Sequence, residues 1–371
     1  MTKSVLFYYK NGFDDQKGGV QSVSLALACE FIKNDYRVYF LSEKAYKFGT
    51  NVDIIHILLS SSPSQALQEV IELFRQNRID FVINQEGLSN RAGVDMLKIF
   101  GSGDTKLISF IHNDPTAPIH DFAYRIFRNG KIISTSWLSD LLTYIYFLRN
   151  KKSYQDLLRY SWKTIVLSHS YALYLSRKCD IPVSDFMVLP NPVKYNNVAL
   201  RKKQDRVLYV GRLNVSQKRL DLLLRIWGNF ELKYDTASLS LIGEGCDTLY
   251  LKKCALDLCL RRVKFLGRKD PSKDYAESKV LCLTSAFEGF PLVLYEALKF
   301  RVVPIVFNTF SSASDIIIDG FNGRLIEPGC EDKYLEAINE VLANYTQYAK
   351  NIEAFQAEIP TVETIYNRLH E

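Results

Sequence analysis

Short runs of uninterrupted apolar residues alternate along this chain with longer stretches in which apolar positions recur every three or four residues. SVLFYY (4–9), RVYFLS (37–42), DFVINQ (80–85), KLISFIH (106–112) and TIVLSH (164–169) read as strands. VQSVSLALACEFIK (20–33) and residues 63–77 read as helices, and a long helical region precedes residue 164. Strands without apolar–polar alternation are buried on both faces, which implies a parallel sheet covered by helices. MVLPNPV (187–193) is a strand ending in two prolines, and the polar stretch behind it, KYNNVALRKKQD, marks a linker near 193–203. The pattern then restarts. RVLYVGRL (206–213), SLSLIGEG (238–245), VKFLGR (263–268), VLCLTS (280–285) and VVPIVF (302–307) are strands, separated by helices at 220–230, 249–259 and 291–300. Residues 333–371 are mainly helical. The expectation is two α/β domains, 1–193 and 204–345, with a ligand site in the cleft between them at the carboxyl ends of the strands.

Composition narrows the function more by exclusion than by pointing. A chain of 371 residues with 47% apolar and 24% charged residues exceeds one ordinary domain and can build real cores. The net charge of +6 is too mild to argue for nucleic acid, and no nucleic-acid partner is expected. Basic residues do gather within 121–165, where Arg125, Arg128, Lys131, Arg149, Lys151, Lys152, Arg159 and Lys163 face only Asp121, Asp140 and Asp156. With the aromatic run WLSDLLTYIYFLRNKK, this segment suits an anionic membrane surface. It reads equally as an ordinary amphipathic helix with solvated charges. Seven cysteines without a C-x-x-C pair read as buried, reduced thiols of a cytoplasmic protein. The opening MTKSVLFYYK is a strand and not a signal peptide, and no run of about 18 apolar residues suggests a transmembrane helix.

Four groups of residues carry candidate chemistry. Glu288 lies in the loop after VLCLTS, and Glu296 lies in the helix that follows, which is expected to hold Pro291 in its first turn. The amide-rich start of that helix suits an anion, and the two carboxylates suit sugar or ribose hydroxyls. Arg212 and Lys218 follow the strand RVLYVGRL, and two cations at such a turn suit a diphosphate. Gly18-Gly19 after the first strand allows close backbone approach to a ligand. His112, followed by Asn113 and Asp114, ends the strand KLISFIH at the expected cleft. Each group alone also has a plain reading: a surface carboxylate, solvated cations, a turn, a hydrogen-bonded core histidine. Other chemistries lack their residues. No D-x-D pair offers the usual metal clamp on phosphates, so no metal is expected. G-x-x-x-x-G-K-[ST] and G-x-S-x-G are absent, and neither GSG (101–103) nor GEG (243–245) extends to G-x-G-x-x-G.

Taken together these segments resemble retaining glycosyltransferases of family 4, with GT-B architecture. YVGRLNVSQKRLDLLL, LSLIGEGC, VKFLGRKD, YAESKVLCLTSAFEGFPLVLYEAL and SDIIIDGFNGRLIEP run in the family's order over 206–342, and Glu288 to Glu296 matches its E-x7-E motif. The first half matches more thinly, through GGVQSVSLALACEFIKNDYRVYFLS, FIHN and VLPNPV. The resemblance implies two Rossmann-like domains with parallel sheets facing across a cleft, and it implies roles. Arg212 and Lys218 would hold the donor diphosphate, Glu296 the ribose. Glu288 and the amides of Gly289, Phe290, Pro291 and Leu292 would meet the donor sugar, Pro291 contributing backbone only. Gly19 would approach the phosphates, His112 would contact the sugar near the reacting carbon, and Arg268 and Lys269 would line the base pocket. The last helical segment, 346–371, would cross back onto the first domain. Three departures stand out. NPV replaces the usual N-G-V, Phe300-Arg301 replaces the glycine after the E-x7-E helix, and SSASD, with Asp315 in the acidic position, replaces G-G-x-x-E. The implied activity is metal-independent transfer of a sugar from a nucleotide-sugar co-substrate, UDP-sugar favoured, to a glycan or lipid-linked acceptor in bacterial surface polysaccharide synthesis. The enzyme would be cytoplasmic, with peripheral contact at the inner membrane. A sugar-nucleotide epimerase or a phosphorylase of the same architecture, or an inactive nucleotide-sugar-binding subunit, are the competing readings.

Overall fold

The computed structural model describes residues 2–10, 12–13, 19–44, 52–86, 91–112, 114, 136–193, 195, 201–235 and 237–371. The chain forms two compact units, residues 1–194 with 360–371, and residues 195–359.

The first unit is built on a seven-stranded parallel sheet. Its strands are β1 (Ser4–Tyr9), β2 (Arg37–Ser42), β3 (Ile55–Leu58), β4 (Phe81–Asn84), β5 (Lys106–Ile111), β6 (Lys163–Val166) and β7 (Phe186–Val188), in the spatial order β3-β2-β1-β4-β5-β6-β7. The helices are α1 (Gly19–Lys33), α2 (Pro63–Gln76), α3 (Arg91–Phe100), α4 (Ser136–Tyr160) and α5 (His169–Cys179). Every residue of β1 and β4 is buried, as expected for central strands covered on both faces. β3, at the sheet edge, is largely exposed, and its IHIL run gave no readable strand signal.

The second unit carries a six-stranded parallel sheet. Its elements are β8 (Gln204–Val210), α6 (Val215–Lys218), α7 (Leu220–Lys233), β9 (Ser238–Ile242), α8 (Thr248–Asp257), β10 (Val263–Phe265), α9 (Ser272–Glu277), β11 (Ser278–Leu283), α10 (Leu292–Lys299), β12 (Val303–Phe307), α11 (Ala313–Ile316), β13 (Arg324–Ile326), α12 (Glu331–Ala343) and α13 (Tyr345–Phe355). The strand order is β10-β9-β8-β11-β12-β13. In both sheets the chain winds outward one way, returns beside its first strand, and winds the other way. Each sheet therefore has a topological switch point, between β1 and β4 and between β8 and β11, where the two loops leaving the strand ends diverge and leave a crevice.

The described boundaries differ from the sequence expectation at two places. Tyr195 belongs to the second unit because its ring packs on Phe300, 5.0 Å away at 79°, and its hydroxyl donates to Asp270 Oδ1 at 3.2 Å. The segment that returns to the first unit is 360–371, shorter than 346–371. α13 stays with the second unit because Arg301 pairs with Glu353 at 2.7 Å, and Gln356 just beyond it donates to the Lys299 carbonyl at 3.1 Å. The final helix, α14 (Val362–His370), is the part that crosses. The cysteines are all free, but only Cys179 and Cys282 are buried, while Cys246 and Cys259 are exposed.

α14 is held by side chains that complete the first unit's core. Ile365 and Leu369 join a cluster with Phe7, Phe31, Phe40 and Phe81. Tyr366 meets Phe31 edge-on at 5.0 Å, and Lys163 Nζ donates to the Arg368 carbonyl at 3.1 Å. Because Leu369 is fully buried, Leu369→Ala is expected to destabilise the first unit by about 2–5 kcal/mol, the usual range for such a truncation. Urea unfolding followed by tryptophan fluorescence measures it, and an unchanged midpoint would mean that α14 is not docked.

Candidate functional site

The loops that leave β8 and β11 hold the strongest constellation. After β8 the chain turns through Gly211 and Arg212 into the single turn of α6. Asn214 caps that turn, its Oδ1 accepting from the Gln217 amide at 2.8 Å. Asp247 Oδ2 accepts from the Val215 amide at 2.7 Å. Arg219, in the left-handed region at φ 50°, breaks α6 from α7. The break leaves Lys218 at the last position of α6.

Backbone bonds stitch this loop to the one after β11. The Ala286 amide donates to the Gln217 carbonyl at 2.7 Å, and Gln217 Nε2 donates to the Phe287 carbonyl at 3.3 Å. The Thr284 hydroxyl lies 3.0 Å and 3.1 Å from the carbonyls of Lys218 and Arg219. The result is an ion pair, Lys218 Nζ to Glu288 Oε1, at 2.6 Å. Glu288 is buried, 5% exposed, and also accepts from the Ser285 hydroxyl. A buried carboxylate is tolerable only with such partners. Arg212 is exposed, its Nη2 at 3.1 Å from Gln217 Oε1, and the Tyr209 hydroxyl donates to its carbonyl at 2.8 Å. The Lys218–Glu288 pair thus lies directly at the switch point, and Arg212 stands on the same loop.

Glu288 is followed by Gly289, Phe290 and Pro291, and α10 begins at Leu292. Pro291 is the residue before the helix and not part of its first turn, because its ψ of 95° is extended. The Ser312 hydroxyl donates to the Gly289 carbonyl at 3.2 Å and ties in the loop after β12. Glu296 sits in α10 and accepts from the Tyr275 hydroxyl at 3.0 Å. Arg268 and Lys269 are exposed in the loop after β10. Lys269 Nζ lies 2.8 Å from Asp274 Oδ2, so its charge is shared with a buried carboxylate.

The glycines of GEG have a role that sequence reading did not give them. A side chain at Gly243 would overlap the Gly211 carbonyl, and one at Gly245 would overlap the Leu213 carbonyl. The Gly211 amide donates to Ile242 O and the Leu213 amide to Glu244 O, both at 3.0 Å. These glycines let the loop after β9 press against the loop that carries Arg212 and Lys218. No local spacing announces such an approach.

In the first unit, Gly19 opens α1, whose first turn has no acidic residue to offset the helix dipole. Gly18 and Asn113 lie outside the described residues, as do residues 121–135 of the basic segment. His112 follows β5 and is buried. Its Nε2 is hydrogen-bonded to Gln85 Oε1, and its ring stacks on Phe110 at 5.4 Å and 5°. Since Gln85 Oε1 accepts, Nε2 carries the hydrogen and Nδ1 is the acceptor; among the described residues Nδ1 has no partner. Burial pushes His112 down to about 3. It is a neutral acceptor, suited to a hydroxyl and not to proton donation. Among the described residues, no three His, Cys, Asp or Glu side chains gather to hold a metal ion.

The profile of the family described as "Glycosyl transferases group 1" matches residues 193–358, almost the whole second unit. That unit is a group 1 glycosyl transferase domain. The chain is 32% identical over 206 residues to the lipopolysaccharide 1,6-galactosyltransferase of Salmonella typhimurium, covering 51% of this chain and 54% of that one. The chain spans about half the length of the first curated relatives it matches. Among solved structures, the lipopolysaccharide outer core galactosyltransferase WaaB in its apo form superposes with a TM-score of 0.69 at 19% identity, covering 99% of this chain and 98% of that one. Anabaena Alr3699/HepE, solved in complex with UDP and glucose, gives 0.73 at 17% identity over the same shares. The fold is that of the GT-B glycosyltransferases, with two Rossmann-like domains. In this glycosyl transferase domain Lys218 and Glu288 meet, Gln217 links Arg212 to them, and Glu296 stands with Tyr275 further along α10.

His112 yields a pH prediction. Its folded value lies below the unfolded one, so from pH 6.5 down to about 3 the unfolded chain binds the extra proton and stability falls as pH falls. The slope is about 1.4 kcal/mol per pH unit for one proton, with no contribution above pH 6.5. Urea midpoints at pH 7, 6, 5 and 4 should show this dependence reduced in His112→Gln; identical slopes would mean that the ring is not buried neutral.

Proposed function

We propose that this chain is a retaining, metal-independent glycosyltransferase that moves a sugar from a UDP-sugar to a glycan or lipid-linked acceptor in bacterial surface polysaccharide synthesis. The observation that carries this reading is the Lys218–Glu288 pair at the switch point of the second sheet, with Arg212 on the same loop. In the reaction the bond from the sugar's anomeric carbon to the diphosphate oxygen breaks, and its electron pair leaves with the nucleotide. The acceptor oxygen bonds that carbon from the same face and gives its proton to the departing diphosphate oxygen. Negative charge grows on the departing diphosphate. Lys218, Arg212 and the start of α10 are the groups that meet it. Glu288 holds Lys218 in place and offers a carboxylate to sugar hydroxyls. Within the first unit, taken by itself, the acceptor nitrogen of His112 suits a hydroxyl and the start of α1 at Gly19 suits an anion. The donor choice is supported by the UDP complex of the Anabaena protein, and the acceptor class by the named activity of the Salmonella relative.

The acceptor class also gives a reading of α4. Leu141, Tyr144, Ile145 and Leu148 lie at helical spacing on one face and are 38–61% exposed. Exposed Arg149 and Lys152 flank them. An apolar stripe beside cations complements an anionic lipid surface, where a lipid-linked acceptor would be presented. Among the described residues no helix is long and apolar enough to cross a membrane.

Lys218→Ala is expected to lower kcat by roughly 100- to 1000-fold, the effect of removing one preorganised charge-stabilising group. UDP-, GDP- and ADP-sugars are screened as donors with EDTA present, and full activity is expected there. An unchanged rate removes Lys218 from the mechanism, and activity that requires added Mg²⁺ or Mn²⁺ defeats the metal-free reading. Flotation with vesicles containing phosphatidylglycerol tests the membrane contact. Binding is expected, and Leu148→Asp should weaken it about tenfold or more through lost apolar burial. No flotation of the wild-type chain retires that contact.

A further inference from the structure

We infer that Tyr275 is a positioning residue for Glu296, fixing one carboxylate oxygen so that the carboxylate is aimed at the ribose of the donor nucleotide. The inference rests on the donor-site reading above. It is carried by a set of contacts that tie α9 to α10.

Tyr275 has no exposed surface, and its hydroxyl donates to Glu296 Oε2 at 3.0 Å. Burying a hydroxyl costs free energy unless it is bonded, and a bond to a carboxylate is among the stronger ones. The donor is permanent: burial, with the Glu296 charge second, raises the tyrosine well above its ordinary value, so the hydroxyl keeps its proton. The ring is also fixed. It stacks on Phe300 at 5.4 Å and 20°, and Tyr195 meets both rings edge-on, Phe300 at 5.0 Å and Tyr275 at 6.5 Å.

Phe300 ends the helix that carries Glu296, so the stack joins the two residues through a second route. Lys203 makes a third. Its Nζ donates to the carbonyls of Tyr275, Ser278 and Phe300 at 2.9, 2.8 and 2.7 Å. One side-chain nitrogen thus binds the C-terminal ends of α9 and α10; burial, with the Arg301 charge second, brings Lys203 down to about 7, so the bridge holds as an amine as well as an ammonium. With both helix ends held, Tyr275 has one place to stand, and its hydroxyl sets the carboxylate. A glutamate on a helix otherwise loses rotamer freedom when a ligand orders it, and a tether removes part of that cost before binding.

The test uses the full chain and isothermal titration with UDP and 2′-deoxy-UDP, repeated with the ADP and GDP pairs. Wild type is expected to bind one ribonucleotide more tightly than its 2′-deoxy form. Tyr275→Phe keeps the stacked ring and loses only the hydroxyl. It should weaken the ribonucleotide about tenfold, the scale of one hydrogen bond to a charged group, and leave the deoxy form unchanged. Lys218→Ala should weaken both forms alike. In a Glu296→Ala background, Tyr275→Phe should have no further effect. If Tyr275→Phe weakens both forms equally, changes neither, or adds to Glu296→Ala, the inference is overturned while the donor site stands. If the wild-type chain binds no nucleoside diphosphate, the donor-site reading falls and the inference with it.

Discussion

Glu288 is a carboxylate inside the protein, and the arrangement of the site follows from the need to balance its charge. Stripping water from an ionised carboxylate costs several kcal/mol unless a cation and hydrogen bonds replace it. Lys218 and Ser285 supply both. Lys218 lies 70 residues earlier, on the loop after β8, so the pair forms only if the ends of β8 and β11 are neighbours. They are neighbours because the sheet reverses its winding there. Fold and site are one constraint: a different strand order would strand a buried negative charge.

On the proposed function, the same arrangement prepares a cation for the donor diphosphate, a ligand more negative than Glu288. A lysine on a free loop has many rotamers to lose on binding a diphosphate. Here the loop is fixed from below by Thr284 and Ala286, from the side by the Asn214 cap, and from behind by Gly243 and Gly245. The ordering is done when the chain folds. Such preorganisation is what makes a charged group effective in a reaction where charge moves.

What could be read from the sequence divides along physical lines. The central strands were legible because burial on both faces leaves unbroken apolar runs, as in SVLFYY and VPIVF. Lys218 and Glu288 could be picked out because they lie in the loops just past β8 and β11, and Glu296 because it follows Glu288 at the E-x7-E spacing. β3 and β13 were not: one is an exposed edge, and the other is three residues long. Tyr275 and Lys203 were missed because their partners are long-range. A tyrosine in a six-residue helix looks like any aromatic until Glu296, 21 positions on, is placed beside it. Gly243 was read as a turn after a strand and against a dinucleotide motif it does not fit, whereas its reason is the Gly211 carbonyl.

Phe300-Arg301, where the resembled family has a glycine, shows how a departure from a pattern can be absorbed. Arg301 takes φ 55°, a left-handed conformation that glycine adopts without strain and arginine at about 1 kcal/mol. The turn itself is kept, with the Val302 amide donating to Ala297 O at 2.8 Å. In exchange for the strain, the side chain reaches Glu353 at 2.7 Å, and the Tyr345 hydroxyl donates to the Arg301 carbonyl at 2.8 Å. Both partners lie on α13. Phe300 meanwhile supplies the aromatic face on which Tyr275 stacks. A glycine at 301 would relax the turn and keep the carbonyl bond from Tyr345, but it would lose the ion pair with Glu353. The two residues therefore exchange local ease for a linked block, in which the helix bearing Glu296 is fastened to α9 on one side and α13 on the other.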